Sequence, residues 1–107
     1  MRRAGEFELL VMLAVLRLGS GAYGVTIREE LERETSRVLT LGTVYKTLGR
    51  LEAKGYLRSR TSEPTAERGG RRKKLYRVTP SGLTTIQHSL ADLRRLAEGL
   101  KLELGMP

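Results

Sequence analysis

The chain has 107 residues, enough for one compact domain, and carries 20 basic against 12 acidic residues for a formal charge of +8. That balance favours polyanionic partners. With no cysteine and a single histidine, thiolate metal sites and disulfides are excluded, and neither a metal nor a cofactor is expected. No stretch approaches the roughly 20 apolar residues of a membrane span.

The first expected element is a helix from Glu6 to Leu18, rich in leucine and with little polar face, so largely buried. Arg2-Arg3 before this run superficially resembles a signal peptide, but no clean small-residue cleavage site follows, and Gly19-Ser20-Gly21 reads as the turn that ends a helix. A second helix is expected over Tyr23 to Thr35. Tyr23, Ile27 and Leu31 share one face, and Glu29 and Arg33 are spaced for an i,i+4 pair.

Thr40 is a good N-cap for a third helix, Leu41 to Lys54, and Gly55 a good residue just past its end. Leu41, Val44, Leu48 and Leu51 form its apolar stripe. The opposite face holds Thr43, Lys46, Thr47, Arg50 and Lys54 and no carboxylate. Such a helix can dock on its domain with one face and enter a major groove with the other. Lys46 and Arg50 could bond guanine edges or phosphates, and Thr43 and Thr47 could meet a phosphate or a thymine methyl. Tyr45 has two readings of equal weight, a hydroxyl offered to phosphate or a core ring.

The periodicity then changes from helical to alternating over Tyr56 to Thr61 and Lys74 to Thr79, two short strands joined by a polar loop with Pro64, Gly69 and Gly70. Residues 58 to 77 hold eight basic side chains, Arg58, Arg60, Arg68, Arg71, Arg72, Lys73, Lys74 and Arg77, and two acidic ones, Glu63 and Glu67. This segment therefore carries +6 of the chain's +8. Cations around the two glycines would let backbone and charge approach a phosphate strand, with salt-dependent binding as the consequence. The blander reading is a solvated charged loop.

Thr79-Pro80 opens a last helix expected to reach about Leu104. Leu83, Ile86, Leu90, Leu93, Ala97, Leu100 and Leu104 repeat at 3-4 spacing, a heptad seam. About 25 helical residues would span roughly 37 Å, longer than so small a domain can cover. The economical partner is a second copy; packing back on the first helix is the alternative. His88 falls off the seam and reads as surface. Gly82 and Gly99 weaken the helix.

The expected fold is therefore mainly α with a small β-hairpin, a winged helix-turn-helix over residues 1–79 followed by a C-terminal dimerisation helix over 80–107. The order helix-helix-helix-strand-loop-strand carries that expectation. At this point the residues resemble a known family, the PadR-type regulators. The matching stretches include Leu9-Leu10-Val11-Met12-Leu13-Ala14, Ala22-Tyr23-Gly24-Val25-Thr26-Ile27, Gly42-Thr43-Val44-Tyr45-Lys46-Thr47-Leu48 and Arg50 to Leu57. The likeness continues from Gly69 to Gly82. Their order and spacing together, more than any one piece, are specific, and the short tail looks like the branch with one C-terminal helix.

The resemblance implies a cytoplasmic homodimer that binds a palindromic operator in double-stranded DNA, usually as a repressor, sometimes released by a small-molecule effector. It implies DNA contacts from the helix that starts at Leu41 and from a wing around Arg68, Arg71, Arg72, Lys73 and Lys74. Members that bind flat aromatic effectors do so with tryptophan, which this chain lacks. The alternative function is a winged-helix protein-interaction module without specific DNA binding. An enzyme is not expected: no phosphate-loop glycine pattern or carboxylate cluster is present.

Overall fold

A computed structural model describes residues 3–63 and 72–102. In chain order it contains α1 (Glu6–Leu18), a single 3-10 turn (Gly19–Gly21), α2 (Gly24–Glu34), α3 (Leu41–Ala53), β1 (Leu57–Thr61), β2 (Lys74–Val78) and α4 (Pro80–Ala97). The strands form an antiparallel hairpin in which Leu57 faces Val78 and Thr61 faces Lys74. The architecture is the winged helix that the order of elements implied.

Local chemistry sets the helix starts. The Thr40 hydroxyl accepts the Thr43 N–H at 3.1 Å, and the Thr79 hydroxyl accepts the Gly82 N–H at 3.0 Å. Each bond satisfies one of the amide donors a helix leaves orphaned at its start. Pro80, whose missing N–H costs nothing in the first turn, follows the second cap. Helix α2 starts at Gly24, with Tyr23 as the cap position and its N–H donated to the Thr26 hydroxyl at 3.0 Å. Gly55 ends α3 with φ 79°, a conformation that favours glycine.

One core joins all elements. Val11, Met12 and Val15 of α1 meet Ile27 and Leu31 of α2, Val44, Leu48 and Leu51 of α3, Leu57 and Tyr76 of the hairpin, and Ile86 of α4. The Ala22 carbonyl accepts the Tyr76 N–H at 2.8 Å, tying the segment between α1 and α2 to the edge of β2. Helix α4 crosses the hairpin base so closely that a Cβ on Gly82 would lie 2.3 Å from the Tyr56 carbonyl oxygen. Glycine at 82 is therefore a packing requirement, beyond the helix-weakening residue the sequence suggested.

The structure corrects four expectations. Helix α4 ends at Ala97, short of Leu104, because Gly99 takes φ 80° and the Leu100 N–H bonds the Ala97 carbonyl at 3.1 Å. Leu100 thus lies past the helix, and Leu104 lies outside the described residues. Ile86 does not belong to an outward seam: it is 3% exposed, inside its own domain's core. Helix α1 is less buried than its composition suggested, with Leu16 exposed and Phe7, Leu9, Leu10 and Leu13 only partly covered. Finally, Arg33 pairs with the buried Glu30 at i,i+3 instead of with Glu29, and Glu30 also receives the Arg17 Nε at 2.5 Å.

Candidate nucleic-acid interface

Helix α3 turns Val44, Thr47, Leu48 and Leu51 inward and leaves Gly42, Thr43, Lys46, Gly49 and Arg50 exposed. This exposed strip carries two cations and no carboxylate, as the sequence implied. Two residues of the expected polar face change their standing. Thr47 is 2% exposed and donates its hydroxyl to the Thr43 carbonyl at 3.1 Å, so it supports the helix from within. Lys54 leaves the strip altogether: its Nζ bonds the two Glu8 carboxylate oxygens at 2.7 and 3.0 Å and the Arg3 carbonyl at 3.0 Å.

Tyr45 is not a core ring, and the hydroxyl end of its side chain lies against Gly24. Its ring rests on the backbone of Gly24, where a Cβ would meet it at 2.4 Å, yet 48% of the residue stays exposed. The pair sets how closely α2 and α3 approach, and its outer edge remains available. The sequence had marked Tyr45 but not Gly24; a glycine at the first position of a helix gives no sign of the ring that will lie on it.

Two ion pairs at the C-terminal end of α3 hold this body together. On the α1 side, burial pushes the Glu8 carboxyl up, but the Lys54 hydrogen bond, the Gly5 N–H and the charges of Lys54 and Arg50 outweigh it and hold it below its ordinary value. Glu8 therefore stays ionised and clamps α1 to α3. On the hairpin side, Glu52 accepts from the Ser59 hydroxyl at 2.7 Å and from Lys74 Nζ at 3.1 Å. Burial raises the Glu52 carboxyl, and Ser59 and Lys74 more than reverse that. The base of the hairpin is thus pinned to α3.

The basic hairpin residues divide accordingly. Lys74 is engaged with Glu52, and Lys73 stands 4.5 Å above the Tyr23 ring. Both side chains bridge the wing to the helices while remaining at the surface. Arg72 is exposed, and Arg68 and Arg71 lie outside the described residues. The hairpin continues beyond its strands through paired bonds between Ser62 and Lys73, at 2.7 and 2.8 Å. The structure therefore brings Thr43, Tyr45, Lys46, Arg50, Lys73 and Lys74 to the surface on α3 and the adjoining wing base.

The expected seam splits. Leu83, Leu90 and Leu93 are exposed, Ala97 is half-buried, and Leu96, which the 3-4 spacing left out, is the most exposed leucine of α4 at 78%. His88 is exposed, as read. Among the described residues no helix is long and apolar enough to cross a membrane.

Comparison with known proteins agrees with this geometry. Residues 12–88 match the family model described as the Transcriptional regulator PadR-like family. The chain is 39% identical over 75 residues to Transcriptional regulator Rv3488 of Mycobacterium tuberculosis, a match spanning 70% of this chain and 65% of that one. The fold is similar to a PadR family transcription regulator from Clostridium difficile R20291, with TM-score 0.71 and 29% identity over 88% of this chain and 93% of the other. It is also similar to Bacillus subtilis PadR, solved in complex with operator DNA. There the TM-score is 0.66 at 20% identity, over 94% of this chain and 55% of that one, a likeness of fold alone. With the winged helix and the matched segment in agreement, the chain belongs to the Transcriptional regulator PadR-like family.

Proposed function

We propose that this protein is a sequence-specific DNA-binding regulator, acting in the cytoplasm as a homodimeric repressor on a palindromic operator. The observation that carries this reading is the exposed strip of α3. Thr43, Lys46 and Arg50 share it with no carboxylate, next to a hairpin whose base is pinned to the same helix. Lys46 and Arg50 would read guanine edges or phosphates in the major groove. Arg68, Arg71 and Arg72 would neutralise phosphates from the wing, joined by Lys73 and Lys74 where DNA competes for their present partners.

The dimer is assigned to the leucines that α4 leaves bare. Leu83, Leu90 and Leu93, with Ala97 and the partly covered leucines of α1, form an apolar surface that a second copy would cover. Residues 1–79 would then be the reading head and 80–107 the dimerisation arm. Two heads about one duplex turn apart fit a palindrome. A small-molecule effector would act by changing the spacing of the heads.

The test is binding to the DNA upstream of the protein's own gene, with random duplex as competitor, at two salt concentrations. Preference for the upstream DNA that weakens with salt is the expected result. Lys46→Ala with Arg50→Ala should abolish the preference, whereas Arg71→Ala with Arg72→Ala should weaken all duplexes alike and flatten the salt slope. Equal affinity for both DNAs would sink the operator assignment, and no affinity at all would favour the protein-interaction module.

A further inference from the structure

The hairpin has a second basic face that this reading does not use. In the register of the sheet Arg58 lies opposite Arg77 and Arg60 opposite Leu75, so Arg58, Arg60, Leu75 and Arg77 share one side. The other side, with Leu57, Ser59 and Tyr76, packs on the core and on Glu52 of α3. The three arginines are exposed and point away from the helix they are tied to.

What sets these three apart is that they share one face and one groove. Arg17, Arg33, Arg37, Arg95, Lys54 and Lys74 each pair with a carboxylate. Among the described residues, Arg58, Arg60 and Arg77 have no carboxylate partner. Arg58 and Arg77 instead face each other directly across the ladder, a like-charge pairing that destabilises a hairpin. Arg58 and Arg60, two residues apart on one strand, start from Cα atoms about 7 Å apart. The three also line a groove of about 470 Å³, to which Leu75 and the Gly19-Ser20 turn contribute. Gly19 has open space where a side chain would project.

A row of unpaired guanidinium groups along a shallow groove matches a phosphate strand, since guanidinium takes phosphate oxygens two at a time. We infer that this outer face is a second phosphodiester-binding site, and that a protein seated on one duplex through α3 uses it to hold a second DNA segment. The inference rests on the DNA reading of α3 but not on the same residues. The outer side of the hairpin is turned away from α3, whose Glu52 meets the inner side at Ser59 and Lys74. The juxtaposition of Arg58 with Arg77 then has a counterpart: their repulsion is offset when a phosphate sits between them.

The test uses the full chain on an immobilised duplex that it binds, with a labelled duplex of unrelated sequence in solution. The protein is expected to retain the labelled duplex in a salt-sensitive way. The triple variant Arg58→Gln, Arg60→Gln, Arg77→Gln should bind the immobilised duplex within about twofold of the parent and lose at least tenfold in second-duplex capture. Removing the facing arginines relieves repulsion, so its melting temperature should equal or exceed the parent's. Capture absent in the parent protein would overturn the proposal without any variant. Unchanged capture by a folded triple variant would overturn it as well. Displacement of the second duplex by poly-glutamate at matched charge as efficiently as by DNA would overturn the phosphate assignment in favour of an acidic protein segment. Loss of binding to the immobilised duplex by Lys46→Ala with Arg50→Ala reads the α3 site separately, so failure of one reading is distinguishable from failure of the other.

Discussion

The two halves of α4 began as one repeating pattern and ended in different environments. The first half, from Pro80 to Ile86, is locked to the domain. Its cap bonds Gly55, Gly82 lies against the Tyr56 carbonyl, and Ile86 is inside the core. The second half, from Leu90 to Ala97, carries leucines at the same spacing, yet Leu90 and Leu93 are 41% and 61% exposed, and in the first half only Ile86 of the seam is covered, Leu83 being 42% exposed. A heptad repeat therefore states which residues share a stripe. Which body covers the stripe depends on how far the rest of the domain extends beneath it.

Substitutions can break this contrast or sharpen it. The largest effect on folding is expected from Ile86→Ala, about 3 kcal/mol, because a core cavity adds to lost burial. Leu93→Ala should cost less than about 0.5 kcal/mol in the same denaturant titration at concentrations where the protein is monomeric. Equal losses would mean that the halves are not different. Gly82→Ala should cost about 2 kcal/mol through the clash with the Tyr56 carbonyl, which cannot rotate away, whereas a better helix former would otherwise stabilise the helix. A rise in melting temperature would show that α4 does not approach the hairpin as closely as described.

Acid should act next, on the clamp between α1 and α3. The Glu8 carboxyl lies below its ordinary value of 4.5, so its clamp on Lys54 is fully present above that pH and is lost as the pH falls through the lowered value. Glu8→Gln should remove that part of the acid sensitivity and lower stability at neutral pH, as read from denaturation at pH 3, 5 and 7. Leu90→Glu with Leu93→Glu should disturb folding least, since both side chains already meet solvent. The same pair should convert a dimer to a monomer in sedimentation. A variant that still sediments as a dimer would place the interface elsewhere.

Much of the DNA-facing surface was legible before the fold. The polar positions of Thr43, Lys46 and Arg50 follow from helical periodicity, and a face without carboxylates is visible in the residues themselves. Thr47 and Lys54 sit beside that face in projection, so periodicity included them. Only the neighbouring elements show that one is covered and the other taken by Glu8. The sequence offered a glutamate and a lysine 46 positions apart, with nothing to pair them. The arginine face of the hairpin was half legible. Alternation put Arg58 and Arg60 on one side, but their alignment with Arg77 depends on the strand register.

What the sequence determined by itself was local: helix starts at Thr40 and Thr79, the stop at Gly55, the switch from helical to alternating periodicity after Tyr56, and the sign of the charge. These depend on backbone geometry and side-chain hydrogen bonds within a few residues, and so they survive without knowledge of the fold. The tertiary structure decided which apolar residues are covered, which cations are free and why two glycines cannot be replaced. Those outcomes depend on distances between elements far apart in the chain, and close packing makes them differ between residues of identical type and spacing.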